Sequence, residues 1–132
     1  MDETTKADAT VSKWTILGTT TLGTTTLRVP RMGTGVMTWG DAKGLARLHP
    51  AKSMYGGADT VEEEARAFQT CLDAGIFFFD TAALYSGGAS ERRLGELAQG
   101  REVTIATKFP SSPFRFRTEN VTSELQGSLA RL

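Results

Sequence analysis

Two short apolar runs without alternation organise this chain: Ile76 to Phe79, and Val103 to Ala106. Such runs predict strands covered on both faces, the pattern of a parallel sheet between helices. Arg31 to Thr38 predicts a strand ahead of them. Elsewhere the apolar residues fall at helical spacing. Val61, Ala65, Phe68 and Leu72 predict a first helix, opened by Thr60 with Glu63 as a capping box and stopped by Gly75. Leu94 and Leu97 predict a second, capped by Ser90 with Glu91 in its first turn and ended by Gly100. Val121, Leu125, Leu129 and Leu132 predict the face of a third, beginning near Thr118. The fold class is α/β.

Charge then appears where burial makes it hard to justify. Asp80 ends the first apolar run, Lys108 follows the second, and Tyr85 stands five positions after Asp80. In a barrel of parallel strands the polar residue at a strand's C-terminal end faces the active site, while the run before it fills the core. A free phenol, with a pKa near 10, is a poor proton donor at neutral pH. An ammonium within about 4 to 6 Å favours the phenolate, and a carboxylate beyond the amine holds it charged and in place. Asp80, Lys108 and Tyr85 supply those three parts. A hydride, if one is transferred, must come from a cofactor, since no side chain donates one.

The stretch Phe77-Phe78-Phe79-Asp80-Thr81-Ala82-Ala83-Leu84-Tyr85, followed by Ser90-Glu91 and Leu94-Gly95, resembles the aldo-keto reductases. Met32-Gly33-Thr34-Gly35-Val36-Met37-Thr38-Trp39-Gly40 is similar to that family's first barrel strand and its loop. The resemblance runs from about Leu27 to Leu132 with one long interruption. It implies a partial (β/α)8 TIM barrel: an N-terminal hairpin and about the first three βα units. It implies NADPH as hydride donor, an aldehyde or ketone as substrate, and catalytic roles for Tyr85 as general acid, Lys108 as the group that tunes it, and Asp80 as the partner of Lys108. Gly35, Val36, Met37 and Asp80 are the expected cofactor-binding residues, and Trp39 a wall of the substrate pocket. The bland alternative is that the glycines ease strand packing and Trp39 is core. NADP(H) rather than NAD(H) rests on resemblance alone. The family's fourth catalytic residue, a histidine ending the next strand, has no counterpart here, because the one histidine, His49, lies in a loop before the first helix. A Rossmann fingerprint is disfavoured, since Thr38 stands where its third glycine belongs and no helix follows directly. Where relatives carry glycine after the tyrosine, this chain has Ser86, which stiffens the turn and adds a hydroxyl beside the acid.

The chain has 132 residues, whereas a complete barrel takes about 250. Residues 1–13 are expected to be a flexible tail and 14–132 the N-terminal part of a barrel, truncated within its third helix and inactive alone. Fifteen basic and fifteen acidic residues cancel, which removes the electrostatic case for nucleic acid or an anionic membrane. Arg115 and Arg117, alternating with Phe114 and Phe116, read as a solvated rim. No apolar stretch reaches the roughly 18 residues of a membrane span. The lone Cys71 excludes an internal disulfide and reads as a packed thiol, so reducing cytoplasm fits best.

Two tandem copies of Leu-Gly-Thr-Thr-Thr occupy 17–21 and 22–26. An odd insertion inside a paired strand would turn every later side chain to the wrong face, so the extra copy belongs in a turn or stays unpaired. Residues 41–59 read as a long loop at the catalytic mouth, and Phe109 to Arg117, with Pro110 and Pro113, as a loop lining an apolar pocket. Two other readings remain: a cofactor-binding regulatory subunit, and a truncated product without function of its own.

Overall fold

The computed structural model describes residues 19–41, 60–110 and 118–132. The expectations for the tail, for the loop containing His49, and for Arg115 and Arg117 lie outside those residues.

The first described element is a hairpin. β1 (Thr19–Thr21) pairs antiparallel with β2 (Arg28–Pro30), Thr20 opposite Val29. Between them Leu22 donates its N–H to Leu27 O at 2.9 Å, and Thr25 donates to Leu22 O from both backbone and hydroxyl. The second repeat copy, 22–26, is therefore the turn. The extra residues are absorbed there, and the pairing register before and after them is kept.

Three parallel strands follow, in the order β3 (Thr34–Gly35), β4 (Phe78–Asp80), β5 (Thr104–Ala106). Each is followed by a helix: α1 (Val61–Asp73), α2 (Ala89–Ala98) and α3 (Thr118–Leu129). This is a run of βα units, open at its edges among the described residues. The strand expected over Arg31 to Thr38 is only two residues long, because the chain turns directly after it, with Trp39 N–H donating to Val36 O at 3.1 Å. Gly33 makes room for Phe78: a Cβ would lie 2.5 Å from Phe78 Cδ1 and 3.2 Å from Phe78 O, so the ring would have to turn or the two chains move apart.

The core lies between sheet and helices. Val36, Trp39, Phe68, Phe79 and Leu94 form it, with Leu72, Leu97, Val103, Ile105 and Leu132 packed around. Phe79, the middle residue of β4, has no exposed surface and stacks on Phe68 of α1 with centroids 4.9 Å apart. Burying one such side chain stabilises by about 1.5–3 kcal/mol.

α1 begins as expected: the Thr60 hydroxyl accepts from Glu63 N–H at 3.2 Å, and the Glu63 carboxylate accepts from Thr60 N–H at 2.9 Å. Gly75 and Gly100, both with positive φ, follow the ends of α1 and α2. Three expectations need correction. Val61 of α1 is exposed and Glu64 is buried in its place, because Glu64 Oε1 accepts from Gly40 N–H at 2.8 Å and Oε2 lies 2.7 Å from Arg93 Nε of α2. Ser90 does not cap α2; Gly88 stands at the N-cap and Ser90 lies inside the first turn. Finally, Val121, Leu125 and Leu129 of α3 face outward, and contact with the core comes instead from the turn beyond the helix, through Leu132. That turn, formed where Arg131 and Leu132 both donate to Ser128 O, lies across α2 at Gly95.

Candidate active site

Strand parity puts Asp80 and Lys108 on one face. Asp80 is in register with Ala106, and Lys108 is two residues beyond Ala106, so both side chains leave the sheet on the same side. Two backbone bonds extend the ladder past the strand ends: Thr81 N–H to Ala106 O at 2.9 Å and Ala83 N–H to Lys108 O at 2.8 Å. They hold the loop after β4 against the loop after β5. Tyr85, its N–H donating to Ala82 O, then opens a short turn, Tyr85–Gly88, kinked by the left-handed backbone of Ser86 and Gly87.

The three side chains converge. Lys108 Nζ donates to Asp80 Oδ1 and Oδ2 at 2.8 and 2.7 Å and to Thr81 O at 2.8 Å. The same nitrogen lies 5.1 Å from the centre of the Tyr85 ring, within the range of a cation–π contact. Partial burial works against the ammonium. The hydrogen bonds and charge of Asp80, with a smaller contribution from Tyr85, outweigh it and hold Lys108 above the ordinary lysine value of 10.5. Asp80 and Lys108 are each about half exposed, at 45% and 50%, and such a pair adds only about 0–1 kcal/mol to stability. Folding therefore has little need of it.

The residues expected at the cofactor fall out as follows. Gly35 pairs with Asp80 in register, and a Cβ placed there would meet nothing within 4 Å, so the ground beside the carboxylate is open. Val36 points inward with no exposed surface; its N–H donates to Asp80 O at 3.0 Å and its carbonyl accepts from Ser90 Oγ at 2.6 Å. Met37 is half-buried at the turn that follows. Trp39 is packed in the core against Phe68 and Phe79, with 8% of its surface exposed.

Behind the site lies a layer of polar contacts that periodicity alone did not assign. Thr81 and Ser90, both fully buried, share a hydrogen bond at 2.9 Å, and with Ser90 bound to Val36 O they tie β3, β4 and α2 together at one level. Glu91 is fully buried as well, accepting from Thr107 Oγ1 at 2.6 Å and from Arg131 Nε at 2.5 Å. Burial pushes its carboxyl up, but hydrogen bonds from Thr107, Arg131 and Ser128 prevail and hold it below the ordinary 4.5. The signal in the sequence was parity: Thr81 and Thr107 each adjoin a residue of the charged pair, so they face the helix layer. Ser86, the departure from glycine, sits in the left-handed region at φ 52°, ψ 29°, its hydroxyl 3.5 Å from Met37 O.

Alternating strand and helix units, with an acid, an amine and a phenol gathered at the C-terminal ends of neighbouring strands, define the class: part of a (β/α)8 barrel, the three groups lying at its C-terminal face. The profile of the aldo/keto reductase family matches residues 31–132, and the chain belongs to that family. A chloroplastic pyridoxal reductase of Arabidopsis thaliana is 32% identical over 119 residues, covering 80% of this chain and 30% of that protein. A probable voltage-gated potassium channel subunit beta of Oryza sativa subsp. japonica is 30% identical over 89 residues, covering 59% of this chain and 27% of its own length. Among solved structures, an aldo-keto reductase of Bacillus halodurans in its holo form superposes with a TM-score of 0.63 at 24% identity, over 86% of this chain and 36% of that one. A thermostable aldo-keto reductase in complex with the inhibitor epalrestat gives 0.60, also at 24% identity, over 86% and 38%. The chain thus spans about a third of the length of the relatives it matches. Among the described residues no helix is long and apolar enough to cross a membrane.

Proposed function

We propose that the protein is the N-terminal part of a barrel that reduces an aldehyde or ketone with NADPH, with Tyr85 as general acid. The observation that carries this reading is the Lys108 ammonium, bound by both Asp80 oxygens on one side and lying over the Tyr85 ring on the other. A half-exposed ion pair that adds little to stability is better explained by chemistry than by folding. The open ground at Gly35, in register with Asp80, fits a flat ring, with Met37 beside it and Val36 anchoring the backbone between them. A bound nicotinamide would supply the hydride. The Tyr85 hydroxyl gives its proton to the carbonyl oxygen as that oxygen gains negative charge, leaving an alcohol and a phenolate. Lys108 stabilises the phenolate through its charge until solvent returns the proton, and Asp80 keeps Lys108 charged. A lone cysteine, which forms no internal disulfide, fits a reducing setting such as the cytoplasm.

The test is Tyr85→Phe in the full-length protein, with NADPH absorbance followed in the presence of a nitrobenzaldehyde. Loss of a general acid lowers kcat by about 10²–10⁴-fold; unchanged turnover would refute the assignment. A second reading, a cofactor-binding regulatory subunit, is favoured by the similarity to the rice channel subunit. On that reading the protein binds NADPH, and Tyr85→Phe leaves its binding and partner effects untouched.

A further inference from the structure

We infer that Thr107, bound to the buried Glu91 carboxylate, is a positioning residue for Lys108, and that Glu91 and Arg131 form the clamp that holds it. The inference rests on the reading of Tyr85 and Lys108 given above. Lys108 lies two residues beyond the end of β5, where a single backbone bond, from Ala83 N–H to Lys108 O at 2.8 Å, ties its main chain to the sheet. Thr107 and Lys108, as neighbours in extended chain, leave the backbone on opposite sides. Lys108 reaches Asp80 on the site face, and Thr107 reaches Glu91 of α2 on the other at 2.6 Å. Glu91 is itself immobile: it has no exposed surface, its second oxygen is 2.5 Å from Arg131 Nε, and it stands in the first turn of α2, where the helix dipole favours negative charge. A buried charge held from two sides is a rigid anchor. A lone hydroxyl–carboxylate contact on a mobile surface would not be.

The charged groups around Lys108 are Asp80 from β4 and Tyr85 from the turn after it; those around Glu91 are Arg131 beyond α3, with Thr107 of the β5 end as its neutral partner. Freeing Thr107 leaves the Lys108 main chain held by the Ala83 bond alone, so its position is fixed less tightly. An error of 1 Å in a reacting group costs about 100-fold in rate, so a fraction of that shift costs about tenfold.

The experiment compares Thr107→Val and Thr107→Ser in the active protein, measuring the pH dependence of kcat for carbonyl reduction. Reduction falls off on the alkaline side as the donor is lost, and an ammonium farther from the phenol moves that limb to higher pH. Thr107→Val is expected to lower kcat about tenfold and move the alkaline limb upward, with Thr107→Ser restoring both. Leu97→Ala, which loosens the core without touching Thr107, is expected to leave the limb in place. If Thr107→Val does not fold, Glu91→Gln serves, since it keeps the volume and an oxygen for Thr107 but breaks the pairing with Arg131; the limb must move the same way. An unmoved limb in the folded variant, or a limb that moves equally in Leu97→Ala, overturns the inference. Lys108→Met separates the two levels of the argument. If it has no effect on reduction, the reading of the site fails; if it abolishes reduction while Thr107→Val behaves as wild type, only the clamp fails.

Discussion

Replacing Gly95 by Ala sets two effects of opposite sign against each other. In the interior of an isolated helix alanine is better than glycine by about 1 kcal/mol, which predicts a more stable α2. The tertiary structure predicts the reverse. A Cβ at Gly95 would lie 2.5 Å from Arg131 O, 2.8 Å from Leu132 O and 2.9 Å from Leu132 Cα, all backbone atoms that no rotamer change can move. Restoring ordinary contact requires the turn at 131–132 to retreat by roughly 1 Å. That movement draws Arg131 away from the fully buried Glu91 and lifts Leu132 from the core. Stripping a buried charge of its partner outright costs about 3–5 kcal/mol, and part of a leucine's burial about 1 kcal/mol more. Because the turn shifts rather than detaches, a net loss of about 2 kcal/mol after the helical gain is expected. Gly127→Ala is the internal control: its Cβ would meet only the Arg131 side chain at 3.4 Å, so the helical gain of up to about 1 kcal/mol should survive. Urea unfolding followed by circular dichroism measures both. If Gly95→Ala proves as stable as wild type, the turn does not press on α2 and the Glu91 clamp loses its support.

The remaining predictions concern charge and strain. Glu91, held below 4.5 when folded, contributes stability that is present above pH 4.5 and lost as pH falls through its folded value; in urea midpoints taken against pH, Glu91→Gln should flatten the acid side. Lys108, raised above 10.5, contributes stability that is complete below that pH and lost as pH rises through its folded value, so Lys108→Met should flatten only the far alkaline side. Ser86→Gly should raise stability by about 1 kcal/mol, since a non-glycine residue in the left-handed region costs about 1–2 kcal/mol and the 3.5 Å contact to Met37 O returns little; a lower thermal midpoint would refute this. Asp80→Asn should change stability by less than about 1 kcal/mol, because the pair it breaks is half exposed, yet remove most reduction; a large loss of stability would show that the pair is structural.

The meeting of Asp80 and Lys108 was legible because it depends on local rules. A strand of period two places residues two apart on one face, so Lys108 must share a face with Ala106 and, once β4 and β5 are in register, with Asp80. The capping box at Thr60 and the glycine stops after α1 and α2 are equally local, whereas the repeat left a turn or an unpaired segment open, and the structure makes residues 22–26 the turn. The buried Glu64 was not singled out and Ser90 was misread as a cap for one reason. Their side chains satisfy groups far away in sequence, the Gly40 N–H and Arg93 for one, the Val36 carbonyl and Thr81 for the other, and helical periodicity carries no record of those partners.

The amino-acid sequence by itself determined the order of the elements and the identity of the three groups at the strand ends, since apolar runs, caps and turn residues act within a few positions of themselves. Tertiary structure alone decided which way each remaining side chain turned: Trp39 into the core, the α3 leucines outward, and Glu91 into a dry clamp behind Lys108. The reason is desolvation. A buried polar group keeps its place only where a distant partner completes its hydrogen bonds, and that partner is known only once the chain has closed on itself.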